Sequence, residues 1–218
     1  MAPIYLLLAV CGVFVALVLF VFAIRTKRVL FRNSVVGASL VLSVFYAASL
    51  LGCSLMSKPR TLALNEPKEF CGFYLDCHVH AKVTEVRRVK TIGEHTASGE
   101  FLIAKVKVFS DAKNTSIKLR LLEPQATIID DSGAIYARNL DAESSLSTES
   151  GDLNRDVTTG QPFEKELVFD IPANAANPRL DIAEGYGIDK IIEAVLIDDE
   201  DSILHKRTFL SLSAAGSR

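Results

Sequence analysis

The sequence predicts a mainly β protein, a sandwich or barrel, carried behind two transmembrane helices. Three observations lead there. Ile4 to Ile24 and Ser34 to Met56 are apolar and uncharged, each close to the roughly 20 residues that cross a bilayer as a helix. The stretch between them, RTKRVLFRN, carries Arg25, Lys27, Arg28 and Arg32 and no acid. After Met56, short runs of alternating apolar and polar residues recur between clusters of Gly, Pro, Asn and Asp, the pattern of an all-β domain.

Composition narrows the function classes. The chain has 218 residues and a formal net charge of -2. About 160 residues follow the apolar pair, enough for one domain with its own core. The near-neutral balance argues against a nucleic-acid binder, which presents a basic face. Mean hydropathy is +0.27, raised by the first quarter of the chain. Trp is absent and Met scarce, so neither a Trp-anchored core nor a Met-rich binding surface is expected.

The first apolar run reads as a spanning helix rather than a cleaved signal peptide. Its leading residues, Met-Ala-Pro, carry no cation, the run exceeds a typical signal core, and no A-x-A-like site follows. The basic loop is then cytoplasmic by the positive-inside rule. Both ends face away from the cytoplasm, and Lys58 and Arg60 oppose this only weakly. The expected membrane is the inner or plasma membrane, with the β domain periplasmic or extracellular. Ala9, Gly12, Ala16 and Ala23 on the first helix, and Ser39, Ser43 and Ala47 on the second, form small-residue stripes that would let the backbones approach. A competing reading takes Leu50-Leu51-Gly52-Cys53 as a lipobox behind Lys27, Arg28 and Arg32. Cys53 would then be a lipidated N-terminus, with the β domain on the same side. The division expected is a helical hairpin over 1–57, a Pro-containing stalk over 58–69 and a β domain over 70–213.

Within the β domain, Phe73 to Thr84 alternates, with Val79, Ala81 and Val83 on one side and His78, His80 and Lys82 on the other. That period of two marks a half-buried strand. Gly93 and Ala97-Ser98-Gly99 mark a hairpin return, and Glu100 to Ser110 the next strand. Further strands are expected over Ile117 to Leu122, Ala126 to Ile129, Ala134 to Tyr136, Phe163 to Ile171, Leu180 to Ile182 and Ile203 to Leu212. Asn139 to Gly160 reads as a long polar loop with at most a short helix. Ile188 to Leu196 is ambiguous, with helical spacing at its start and strand preference at its end.

The order FLIAKVKVFSDAKN, ATIIDDSGAIY, QPFEKELVFDIP resembles a family of bacterial membrane-anchored extracytoplasmic domains of unknown function, related to a secreted mycobacterial immunogenic protein. The resemblance covers about Phe70 to Leu212. It implies an immunoglobulin-like β-sandwich and an export route, and it brings no catalytic residues.

Few residues point to chemistry. Cys71 and Cys77, in an oxidising compartment, read as a disulfide. Sulfur bridging needs Cα atoms about 4.4–6.8 Å apart, whereas six extended steps span about 20 Å. So either Gly72 to Asp76 folds back as a loop, with the strand starting near Cys77, or the two do not pair; the loop is preferred. His78 and His80 project from one strand face and, with Asp76, form a candidate metal set; exposed strand histidines are the plainer reading. Asp198-Asp199-Glu200-Asp201 lacks EF-hand spacing and reads as a solvated turn before it reads as a calcium site. Asn114-Thr115-Ser116 fits a glycosylation acceptor, of consequence only in a eukaryotic secretory setting. No phosphate-binding glycine loop or G-x-S-x-G occurs. The expectation is a non-enzymatic envelope module without cofactor, embedded in the lipid bilayer and binding a protein or envelope partner. The alternative is a metal-handling or redox protein using the His and Cys pairs.

Overall fold

The computed structural model describes residues 2–71, 77–146, 152–185 and 188–213. In chain order the elements are α1 (Ala2–Arg25), α2 (Val29–Met56), β1 (Arg60–Leu62), β2 (Lys68–Phe70), β3 (Val79–Ile92), β4 (His95–Ser110), β5 (Gln125–Ile129), β6 (Ile135–Ala137), α3 (Leu140–Ser144), β7 (Phe163–Ile171), β8 (Arg179–Ala183), α4 (Ile188–Glu193) and β9 (Thr208–Ser211). They group into two compact units, one of Met1–Lys58 with Gly187–Arg207, the other of Pro59–Tyr186 with Thr208–Arg218.

In the first unit α1 and α2 are both long and apolar enough to cross a membrane. The reversal between them is a Schellman-type C-cap. Lys27 takes a left-handed φ of 55°, Lys27 N–H donates to Ile24 O and Arg28 N–H to Ala23 O, each at 3.1 Å. Partial burial follows a seam on α1, at Leu6, Ala9, Ala16, Phe20 and Ala23, and on α2 at Val35 and Ser39. These positions are three, four or seven residues apart, which keeps them on one side of each helix. Ala9, Ala16, Ala23 and Ser39 from the expected small-residue stripes lie on this seam. Gly12, Ser43 and Ala47 are exposed, because the 3.5-residue repeat carries them off it. The remaining large side chains, Leu7, Phe14, Leu40 and Phe45 among them, point outward.

The second unit is a β-sandwich. One sheet has strand order β1-β9-β8-β5-β6 and the other β2-β3-β4-β7. Alternation along each strand sends Val79, Ala81 and Val83 of β3, Leu102, Ala104 and Val106 of β4, and Leu167, Phe169 and Ile171 of β7 into one core. There they meet Ile128, Leu180, Ile182 and Leu210 of the other sheet. The β3–β4 hairpin turns at Gly93, whose φ is 55°, and Ala97 to Gly99 lie inside β4 rather than in the turn. Gly99 is required for another reason: a Cβ there would sit 2.0 Å from Ile171 O.

A second, smaller cluster forms on the other face of β4 and β7, from Ile92, Ala97, Phe101, Ile103, Val168 and Ala142. The short helix α3 covers it. Asn139 caps that helix, its side-chain oxygen accepting from Ala142 N at 3.0 Å. Glu143 on α3 is buried and neutralised by Arg138, at 2.5 Å, and Lys165, at 3.4 Å.

Several expectations change. The 58–69 stalk contributes two strands: β1 pairs in parallel with β9 and β2 pairs antiparallel with β3. Lys68 on β2 is buried and donates to Ile182 O at 2.8 Å and to Thr208 O at 3.1 Å, so one amine ties the two sheets together. Ile117 to Leu122 makes only a single bridge, Leu119 to Val157, because Glu123, with φ 43°, and Pro124 end the extended run. Gly187–Arg207, placed within 70–213 from sequence, belongs to the helical unit. Its start is the helix α4, and the last strand shortens to Thr208–Ser211. Leu204, with φ 64°, breaks the extended run that Ile203 was expected to begin.

Candidate functional site

The candidate site lies at the end of the sandwich where β3 begins and β4 ends. Antiparallel register sets Val79 opposite Ser110 and His80 opposite Phe109. The residues just outside those pairs, His78 and Asp111, therefore meet, and Asp111 N–H donates to His78 O at 3.3 Å. Their side chains meet too. His78 Nδ1 is 2.7 Å from Asp111 Oδ1, and His80 Nε2 is 3.2 Å from the same oxygen. Asp111 is held below the usual carboxylate range, first by its hydrogen bond to His78 and then by His80. A carboxylate so held only accepts, which makes the His78 Nδ1–H the donor.

The two histidines differ in setting. His78 is open to solvent, while His80 is mostly covered. The His80 ring stacks on Phe109, centroids 5.1 Å apart, and Lys82 reaches over the other side of the cluster to 5.9 Å from the Phe109 centroid. His80 Nε2 is buried without a well-aligned hydrogen bond, although its distance to Asp111 is short; the contact is electrostatic rather than directional. Lys82 stands directly across from Lys107, a like-charged pair that disfavours strand pairing.

Immediately before His78, Cys71 and Cys77 form a disulfide with Cα atoms 4.0 Å apart. The strand starts at Val79, two residues past Cys77; the loop expected over Gly72 to Asp76 lies outside the described residues. Asp76 of the expected metal set lies outside the described residues. The acid that the structure brings to His78 and His80 is Asp111, the residue after the expected strand Glu100 to Ser110. Only the β3–β4 register could have found it. Among the described residues, a group of three His, Cys or acidic residues whose ligand atoms all lie within 4.8 Å of one another occurs at Glu69, Cys71 and Cys77. Both sulfurs there are spent in the disulfide and offer no thiolate.

No protein-family model matches this chain, and no curated protein matches it. Some solved structures are similar at low identity. A secreted protein from Mycobacterium tuberculosis is similar at 12% identity and a TM-score of 0.40, over 71% of this chain and 98% of its own. A conserved hypothetical protein from Bacillus anthracis is similar at 15% and 0.41, over 56% and 89%. An uncharacterised β-sandwich protein from Clostridium difficile is similar at 7% and 0.38, over 72% and 96%.

The other acidic candidate resolves into a turn. Asp199 Oδ1 accepts from Asp201 N at 3.0 Å, Ser202 N–H donates to Asp199 O at 3.1 Å, and Asp201 lies 3.9 Å from Arg207. Asn114 also serves its own turn, accepting from Ser116 N at 3.1 Å. Cys11 and Cys53 are free thiols on the two long helices.

Proposed function

We propose that the chain is a membrane-anchored, extracytoplasmic module with an immunoglobulin-like β-sandwich and a non-enzymatic binding or structural role in the cell envelope. The observation that carries this is the outward face of the hairpin. Phe14, Leu40, Val41 and Phe45 are all more than half exposed on helices without a charge at those levels, a surface that water would not tolerate and hydrocarbon would. The charge of Arg25, Lys27, Arg28 and Arg32 at the reversal supports a cytoplasmic turn. A disulfide in the sandwich supports an oxidising compartment for that domain. The two sheets packed around one core support the immunoglobulin-like reading of the fold.

A reporter active only in the cytoplasm, fused after Arg218, is expected to be silent. Strong activity overturns the orientation. A second reading, metal handling by His78 and His80, draws on their shared approach to Asp111. Its test is zinc or nickel titration of the full-length protein in detergent: stoichiometric binding lost in His78→Ala and Asp111→Asn supports it, and binding indifferent to both removes it.

A further inference from the structure

The stretch after α4 is fastened to α2 at three levels. Tyr46 Oη donates to Val195 O at 2.7 Å. The Ser54 and Ser202 hydroxyls lie 3.3 Å apart in a buried pair. Ser57 Oγ accepts from Lys206 N at 2.8 Å. Tyr46, Leu50 and Ser54 repeat every four residues and so share one helix face; Leu50 and Ser54 are buried. Between the fastenings the stretch folds on itself, with Ile203 N–H donating to Ala194 O at 3.0 Å. That sets the apolar run from Val195 to Ile197 beside Ile203 and Leu204, with the acids Asp198 to Asp201 in the turn between. Leu196 is buried, while three apolar side chains of this collar point outward: Ile191 is 68% exposed, Ile203 51% and Leu204 58%.

We propose that residues 190–206 form an interfacial collar, seating Ile191, Ile203 and Leu204 at the headgroup–acyl boundary of the outer leaflet. This rests on the membrane-spanning reading of α1 and α2. The helices set its depth. As a helix, the uncharged run Ile4 to Ile24 is about 31 Å long, close to the roughly 30 Å of a hydrocarbon core. The chain reverses at Lys27, and Ile4 precedes it by as many residues as Leu50 follows it. Leu50 therefore marks the outer hydrocarbon edge on α2. Tyr46 lies about 6 Å inside that edge and Ser54 about 6 Å outside it.

Tyrosine is the residue type that anchors at this level. The collar's own chemistry demands the same place. Exposed Ile and Leu disfavour water, whereas four consecutive acids disfavour hydrocarbon; only the interface accommodates both. The order along α2 agrees, since Val195 is held at the deeper Tyr46 and Ser202, at the end of the acidic turn, at the outer Ser54. Leu55 and Met56 of α2, 68% and 82% exposed, continue the apolar surface at that level. The occupant is phospholipid, contacted by a non-spanning segment beside the anchor.

Depth measurement tests this on the full-length chain in phosphatidylcholine vesicles. Cys11→Ala and Cys53→Ala remove the free thiols, and the Cys71–Cys77 bridge stays unlabelled. A polarity-sensitive fluorophore is placed by Ile203→Cys, by Ile191→Cys and, near the middle of the span, by Leu40→Cys. Quenching by nitroxides at graded acyl depths is compared with quenching by aqueous iodide. Collar labels are expected to respond most to the shallow nitroxide, at a depth on the order of 5–10 Å, and the span label to the deep one. A span label in lipid with both collar labels quenched only by iodide overturns the collar and leaves the anchor standing. Iodide quenching of all three overturns the anchor and the collar together.

Discussion

The two units of this protein dispose of their apolar residues in opposite ways. In the sandwich, Leu167, Phe169 and Ile171 of β7 are fully buried, and charged side chains such as Lys105 and Glu164 pair on the outer face at 2.9 Å. In the hairpin, Leu7, Phe14, Val44 and Phe45 are mostly exposed, and the covered seam mixes the small Ala9, Ala16, Ala23 and Ser39 with Leu6, Phe20 and Val35. Burying apolar area stabilises a fold only where the alternative is water. Where lipid is the solvent that gain vanishes, and close backbone approach by small residues takes its place. On the proposed membrane reading the contrast reflects the solvent each half is built for, and substitution of the same residue type in each half tests it.

Phenylalanine gives the largest expected difference. Phe169→Ala removes a ring from the middle of the sandwich core, and a buried Phe truncation costs about 3–5 kcal/mol through lost transfer energy and the cavity left. That is a large share of the roughly 5–15 kcal/mol that holds a domain together. Phe14→Ala, on the outer face of α1, should leave the sandwich melt unchanged. Urea titrations of both variants in detergent decide it, and equal shifts would dissolve the distinction between the halves.

A charge makes the reverse experiment. Val44→Asp places a carboxylate on the outward face of α2, where membrane insertion disfavours it by about 2.5–3.5 kcal/mol near the centre of a span. Membrane retention after carbonate extraction should fall. Ile135→Asp, at an equally exposed apolar position of the sandwich, should be retained as well as the parent. If both variants extract alike, the hairpin is not lipid-facing.

The disulfide belongs to the sandwich side of the contrast. Closing so short a loop restricts the unfolded chain by about 2 kcal/mol on chain-entropy grounds. Cys71→Ser with Cys77→Ser should lower the unfolding free energy from urea titration by that increment. Mass mapping of the unreduced parent should find neither cysteine alkylated.

What could be read from sequence follows the same division. Hydropathy over long runs found α1 and α2 within a few residues, since each run is apolar for more than 20 residues. Period-two alternation found β3, β4 and β7, each long enough to repeat. It failed at β1 and β2, three residues each, too short to show a period and set in a Pro-containing stretch. Alternation sets Val168 on the face opposite Phe169 without saying what covers that face; α3 does, and Val168 is fully buried. Val168→Thr, which strands a hydroxyl there, should cost roughly 1–3 kcal/mol. Asp111 was missed because its partners lie a whole hairpin away, and no local pattern records register.

Asp111 supplies the smallest and most pH-specific effect. Its carboxyl is held below the ordinary range by His78 and His80, so the folded form binds the proton less readily than the unfolded chain. The stability this contributes is present above the unfolded carboxylate pKa, about 3.9, and is lost as pH falls through the depressed folded value. Asp111→Asn removes the titrating group, so the variant should lose less stability than the parent on acidification below about pH 4. At neutral pH it should be slightly less stable, for want of the charge-assisted bond to His78. Asp111 is 57% exposed, and screening by solvent keeps both shifts small. Urea midpoints of parent and variant at neutral and acid pH give the comparison. Parallel curves would mean that His78 and His80 do not engage Asp111 in solution, and the cluster at the end of β3 would reduce to three separate surface groups.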